Sequence, residues 1–582
     1  MPLKTALLSA SVLLTSNIVF ANQAADSVAP EHSSGIEEKQ LVKAKDWMIT
    51  AANPLATQAG ADILAQGGSA IDAMVTTQLM LGLVEPQSSG IGGGAFLVYW
   101  DAKKQQLTSF DGRETAPLNA TPRLFQNEQG EPLKFYDAVV GGRSVGTPGT
   151  VKLLWETHQK YGKLAWSKLI EPVVKVAEQG FEISPRLATM IEKDAERLSR
   201  FTATKQYFFN SDGTPKVAGT LLKNPQYAQT LTLISKQGAD AFYQGDVAAD
   251  IIRTVQSAPG NPGVLAQQDF DQYQIKQRPA VCSAYQSYQI CGMGPPSSGA
   301  LTVGQILAMT ESFDLQQWGA NDPRSWQVIA DASRLAFADR GMYMADEDYV
   351  PMPTQGLIDR EYLKQRAALI QPGKALKTVS AGTPPWNYAQ HQSEDQSIEL
   401  PSTSHFNIVD KQGNVVSMTT TIENAFGSRL MVRGFLLNNE LTDFSFKTHH
   451  QGRPIANRLE PGKRPRSSMA PTIVMHNNQP YLAIGSPGGS RIIGYVSQAI
   501  IAHLQWDMDI QQAINQPHLL NRFGTLDVEA GTQAESFAPE LEKMGFKVNV
   551  RDLNSGLHAI LFTKDGLEGA ADPRREGRAI GQ

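Results

Sequence analysis

Apolar and polar positions change their period several times along this chain, and each change predicts an element. Residues 54–66 read as a helix that Gly67 and Gly68 stop. Ser69 with Asp72 three residues on resembles a capping signal, and Ile71, Met74, Val75 and Leu79 then recur at helical spacing, so an αα-hairpin is expected to end before Pro86. The run SSGIGGGAFLVYW predicts a glycine-rich turn into a strand over 95–100, with a second strand over 106–111. From residue 149 to about 260, and again from 300 through SWQVIADASRLAFADRGMYM, the pattern is mainly helical.

Residues 366–402 lose periodicity and fill with Gln, Ser, Pro and Gly, which predicts a loop or linker of the kind that is nicked where exposed. Immediately afterwards the period becomes two. HFNIVD and NVVSMTTTI flank the turn KQG and predict a β-hairpin whose register sets Thr403 opposite Thr421. A helix is expected near 495–504. A helix-rich region followed by strands and Gly-rich turns argues an α/β or α+β layered fold.

Composition narrows the function classes. A formal net charge of -5 over 582 residues, without long basic runs, leaves no electrostatic footprint for nucleic acid. The start, MPLKTALLSASVLLTSNIVFANQ, reads as a secretory signal over residues 1–21, cleaved near Ala21. Its apolar stretch falls short of the roughly 20 residues a membrane span needs. Residues 22–45 are polar and charged, so a mobile tail is expected before order begins near Trp47. The two cysteines, Cys282 and Cys291, are too few for a Cys-ligated zinc site. They flank a segment able to turn back as a hairpin, and in an oxidising compartment a disulfide is the favoured reading. No metal or cofactor is expected: the ten histidines show no paired helical spacing, and GIGGGA precedes a strand instead of leading from a strand into a helix.

The hairpin carries the candidate chemistry. A threonine hydroxyl is a weak nucleophile unless a base stands beside it. Cutting the chain between Ser402 and Thr403 would supply one, because a freed α-amino group has a pKa of about 7.7–8.0 and can take the hydroxyl proton.

The run TSHFNIVDKQGNVVSMTTTIENAFGS, then LLNNELTDFS, PGKRPRSSMAPTIV and GSPGGSRII, resembles the small subunit of γ-glutamyl transpeptidases. Upstream, EPQSSGIGGGAFLVYW, FDGRETAP, VGTPGT, GPPSSGALTVGQIL and ASRLAFADR resemble the large subunit. The resemblance implies an N-terminal nucleophile hydrolase with a four-layer αββα sandwich, made as one precursor and cut into a large subunit, 46–402, and a small subunit, 403–582. It implies Thr403 as nucleophile, Thr421 as the hydroxyl bonded to it, and Gly488 and Gly489 as the oxyanion hole, where a lost donor costs about 2.7–4 kcal/mol of barrier. Arg113 matches the arginine that grips the substrate α-carboxylate, Ser467 and Ser468 the serines that help hold the glutamyl group, and Glu440 and Asp443 the positions around the α-ammonium. The implied partners are γ-glutamyl compounds such as glutathione, with water, amino acids or peptides as acceptors, in the periplasm or outside the cell.

Two departures from the family pattern stand out. Glu423 sits where the family often has Asn, adding a third carboxylate beside the α-ammonium. The segment between DFS and PGKRP is short, which predicts a more open site. A cephalosporin-acylase-like amidase of the same family is the alternative enzyme, and an exported solute-binding protein the alternative without catalysis. A serine hydrolase would want G-x-S-x-G, which is absent.

Overall fold

The computed structural model describes Glu31 and residues 35–388, 392–395, 397 and 399–582. The expected signal segment, 1–21, lies outside the described residues. Two seven-stranded antiparallel sheets stack face to face between two layers of helices. The first sheet runs, edge to edge, Arg578–Gly581, Met48–Ala51, Ser404–Val409, Val415–Thr421, Gly94–Asp101, Gln106–Gly112 and Lys276–Arg278. The second runs Val42–Ala44, Gly566–Ala571, His558–Thr563, Gln479–Gly485, Thr472–His476, Tyr288–Gly292 and Val281–Tyr285. This is the four-layer αββα arrangement.

Local signals explain the helices on the first sheet. Asn53 caps Pro54–Ala65 by accepting from the Leu55 N–H at 2.9 Å. Ser69 and Asp72 form a reciprocal capping box at the start of Ala70–Val84. Fourteen of that helix's fifteen residues are buried, which suits a helix with neighbours on all sides.

Each hairpin strand has an apolar and a polar face. Phe406, Ile408, Val416 and Met418 join the core under the first helical layer. On the opposite face His405 Nδ1 lies 2.9 Å from Thr419 Oγ1, and Asn407 Nδ2 donates to the His558 carbonyl of the facing sheet at 2.8 Å. Burial and the neighbouring His558 push His405 down to about 3, so the imidazole is neutral in this layer. Gly485 is required here, since a Cβ would stand 2.3 Å from the His405 ring.

One expectation needs correction. The segment 22–45 is not wholly a tail: Val42–Ala44 pairs with Gly566–Ala571 at the edge of the second sheet. Glu31 is buried against Arg186, at 2.9 Å, and Arg575. Three residues are too few to display a period, and ion-pair partners so distant in the chain leave no local signal. Cys282 and Cys291 face each other across the hairpin formed by Val281–Tyr285 and Tyr288–Gly292 and are joined as a disulfide. No helix among the described residues is long and apolar enough to cross a membrane.

Candidate active site

Hairpin register builds the centre of the site. Ser404 pairs with Thr420 and His405 with Thr419, so the next step outward sets Thr403 opposite Thr421, as the spacing predicts. Thr421 also pairs with Gly94 of the adjacent strand, and a Cβ on Gly93 would stand 2.0 Å from the Thr421 carbonyl oxygen. The GIGGGA run therefore serves close backbone packing behind the two threonines.

The chain is continuous through Ser402–Thr403 in this structure, and two hydroxyls converge on that bond. Thr421 Oγ1 donates to the Ser402 carbonyl oxygen at 3.0 Å, and the Thr403 hydroxyl lies against the same oxygen. Thr421 Oγ1 in turn accepts from the Glu423 N–H at 2.8 Å, which fixes its orientation. Ser402 Oγ donates to the Gln87 carbonyl at 2.9 Å, tying the bond to the EPQSSG loop. Ser402 and Thr403 are 1% and 3% exposed. The linker's end is thus buried, and Ser402 finds its polar partner inside, at Gln87.

The remaining candidates gather around this bond. Arg113, Glu423, Glu440, Asp443, Ser467, Ser468 and Gly489 line one pocket with Thr403 and Thr421; Glu399, Leu400 and Ser402 line it too, and its volume is about 20 Å³. Gly488 and Gly489, at φ +136° and +58°, adopt backbone that L side chains rarely enter. A Cβ on Gly489 would stand 2.9 Å from the Leu400 carbonyl oxygen, so glycine lets the two backbones meet.

Arg113 is fully engaged. It bonds Glu440, Asp443 at 2.6 Å, and the carbonyls of Arg466 at 2.8 Å and Pro465 at 3.2 Å. The expected carboxylate grip and the expected ammonium seat are therefore paired with each other. Asn438 holds the Glu440–Asp443 turn in place, donating to the Gly92 and Gly146 carbonyls at 2.8 and 2.9 Å.

Crowded carboxylates set the electrostatics. Burial, then Asp443 and Glu440, raise Glu423 well above the ordinary carboxylate range. Its carboxylate accepts from Asn439 Nδ2. Burial also raises Asp443 well above and Glu440 above their usual values, with Arg113 opposing in both cases. Glu114, next to Arg113 in FDGRETAP, is a further carboxyl raised by burial and Glu440. Burial disfavours the charge on Arg113, but Glu440 and Asp443 outweigh it and hold the guanidinium firmly protonated.

Four residues of this neighbourhood escaped the sequence reading: Glu114, Arg340, Glu399 and Arg466. Three lie inside motifs already singled out, FDGRETAP, ASRLAFADR and PGKRPRSS, but nothing in those motifs marks which arginine or glutamate points inward. Glu399 lies in the aperiodic linker, where no local pattern exists. Among the described residues, no group of three or more His, Cys, Asp or Glu is arranged to hold a metal ion.

The family model described as Gamma-glutamyltranspeptidase matches residues 56–582. The glutathione hydrolase proenzyme of Bacillus subtilis (strain 168) is 38% identical over 94% of this chain and 93% of its own. The glutathione hydrolase proenzyme of Escherichia coli (strain K12) is 34% identical over 95% and 94%. The crystal structure of a cephalosporin acylase from Bacillus halodurans superposes with a TM-score of 0.83 at 25% identity, over 95% of this chain and 99% of that one. With a family match over most of its length and relatives above 30% identity along nearly all of it, this chain belongs to the gamma-glutamyltranspeptidase family.

Proposed function

We propose that the chain is an exported precursor that cuts itself before Thr403 and then acts as a γ-glutamyl hydrolase and transferase. The observation that carries this reading is the buried scissile bond. An outside protease has no access to a bond whose two residues are almost fully covered, whereas two hydroxyls already touch its carbonyl. In the first step Thr403 Oγ1 adds to the Ser402 carbonyl carbon, and Thr421 Oγ1 donates to the oxygen as charge develops on it. The C–N bond breaks, the proton from the hydroxyl passes to the departing nitrogen, and the acyl group rests on Thr403 as an ester. Water then hydrolyses the ester, which leaves a carboxylate on Ser402 and returns the Thr403 hydroxyl beside the α-amino group released in the first step.

That amine is the base for turnover. It takes the Thr403 proton as the hydroxyl attacks a γ-glutamyl amide, the amine product leaves, and water or an acceptor amine receives the glutamyl group from the ester. Gly488 and Gly489 are assigned the oxyanion contacts, and Arg113, Ser467, Ser468, Glu423, Glu440 and Asp443 the glutamyl group. The test is N-terminal sequencing of the small fragment with a γ-glutamyl anilide assay. A fragment beginning at Thr403, and a Thr403→Ala chain that stays whole and inactive, are expected. Normal processing of pure Thr403→Ala would sink the reading.

The acylase-like alternative has one observation in its favour, the superposition on a cephalosporin acylase over nearly the whole chain. Against it, Glu423, Glu440 and Asp443 line the same pocket, a grouping that a substrate ammonium explains and a glutaryl group does not. Rates on glutathione against glutaryl amides lacking the α-amino group separate the two. A single intact chain on a denaturing gel would instead favour the solute-binding alternative.

A further inference from the structure

Glu399, four residues ahead of Thr403, turns its charge into the protein. Its carboxylate accepts from Ser468 Oγ at 2.5 Å, from Arg466 Nη2 at 3.3 Å and from Arg340 Nη2. The surrounding groups are braced. Arg340 donates to Ser298 Oγ through Nε at 2.8 Å and to Ser468 Oγ through Nη2 at 2.7 Å. Arg466 Nη2 lies 3.0 Å from Asp395 and 3.1 Å from Ser397 Oγ, and its backbone carbonyl accepts from Arg113. All four side chains that meet here, Glu399, Arg340, Arg466 and Ser468, are more than nine-tenths buried. An ionised carboxylate is driven out of such a place unless it is paired. Burial pushes Glu399 up, but Arg340 and Arg466 outweigh it and bring it down to about 2.

The seat bears on the scissile bond although it does not touch it. Leu400, Pro401 and Ser402 are strung between two fixed points, the Glu399 ion pair on one side and the strand Ser404–Val409 on the other. Proline in the middle restricts the backbone of that short span. A displacement of about 1 Å at a reacting centre is enough to slow a reaction severely. Glu399, Leu400 and Ser402 line the pocket beside Ser468, and the Ser468 hydroxyl is already bonded to Glu399, so a second carboxylate meets an occupied partner there.

We propose that Arg340, Arg466 and Ser468 form a carboxylate-binding seat which Glu399 fills in the uncut chain as an internal ligand. Seated there, Glu399 holds the Ser402 carbonyl against Thr403 and keeps the pocket shut. It is a positioning residue for maturation: it acts through the backbone of residues 400–402. Once the bond is cut, Glu399 belongs to a free peptide end, Glu-Leu-Pro-Ser, that a substrate carboxylate must displace. The proposal rests on the self-cleavage reading.

The experiment follows maturation of purified Glu399→Ala and Glu399→Gln chains on denaturing gels, with circular dichroism melts to establish that they fold. Both are expected to cut at least about tenfold more slowly than the parent. Formate or acetate, but not chloride at equal ionic strength, is expected to speed Glu399→Ala by filling the vacated seat. On matured enzyme, the peptide acetyl-Glu-Leu-Pro-Ser is expected to raise KM for a γ-glutamyl anilide without changing kcat, with acetyl-Gln-Leu-Pro-Ser about tenfold weaker, the loss expected of a charged partner. Cutting of Glu399→Ala at the parental rate overturns the proposal. So does slow cutting that no carboxylate restores, taken with equal inhibition by the two peptides; if the peptides differ, the seat stands. Should Glu399→Ala misfold, the peptide pair alone decides: a tenfold difference supports the seat and equal inhibition overturns it. Failure of the underlying reading is separate, because it shows as cleavage of Thr403→Ala.

Discussion

Glu423 concentrates two costs at one residue. Its φ of +74° is left-handed backbone that Asn tolerates better than Glu, and its carboxyl is buried beside Asp443 and Glu440. Glu423→Asn should therefore stabilise the uncut Thr403→Ala chain by about 1 kcal/mol, read as a shift in denaturant midpoint. It should also change the pH profile. In the empty site Glu423 keeps its proton above the ordinary carboxylate range, and an arriving ammonium favours losing it, so affinity for γ-glutamyl donors rises with pH through that titration. The Asn variant should flatten the rise in 1/KM and keep kcat. An unchanged profile would mean that Glu423 does not face the ammonium. Arg113 calls for a gentler substitution than alanine, which would strand Glu440 and Asp443 without their cation at about 3–5 kcal/mol. Arg113→Lys keeps the charge and loses the fork; maturation should proceed while KM rises about tenfold or more.

The hairpin is the element whose sequence said most. A two-residue period and a Gly-containing turn are local properties, and together they set the register that pairs Ser404 with Thr420. The capped helix Ala70–Val84 and the strand Gly94–Asp101 were legible for the same reason. The Glu399 seat was not, because it is assembled from segments around residues 340, 399 and 467 that only the fold brings together. Nor was the pairing of Arg113 with Glu440 and Asp443, since a resemblance assigns roles toward a substrate and is silent about what the groups do before one arrives. At this scale Thr421 is the informative position. Thr421→Ala removes the donor to the Ser402 carbonyl and should slow maturation by about a hundredfold, whereas Thr421→Ser should restore most of it. Equal maturation of the two variants would remove Thr421 from the cleavage step. The disulfide hairpin gives an independent check: Cys282→Ser with Cys291→Ser should cost about 2–3 kcal/mol of stability in the unfolding midpoint without altering kcat.

Both sheets interleave strands from either side of the proposed cut. Ser404–Val409 and Val415–Thr421 lie between Met48–Ala51 and Gly94–Asp101, and Thr472–His476 pairs with Tyr288–Gly292. Two fragments built this way share one core and should separate only in denaturant. The last prediction concerns the whole molecule's response to pH. Glu85 is buried beneath the hairpin; its carboxylate accepts from Ser404 Oγ at 3.3 Å and stands 4.0 Å from Arg186. Burial dominates and raises it from 4.5 to about 7, against the opposing pull of Arg186. Between those values the folded chain keeps a proton that the unfolded chain has released. Stability from this group is full below pH 4.5 and declines as pH rises toward 7, by up to about 3 kcal/mol. Gln carries no titratable proton and can still accept from Ser404. Glu85→Gln in the uncut Thr403→Ala background should match its parent near pH 4.5 and gain on it steadily to pH 8, measured as denaturant midpoints at each pH. A gap that stays constant over the range would assign the titration to another group and leave Glu85 ionised under the hairpin.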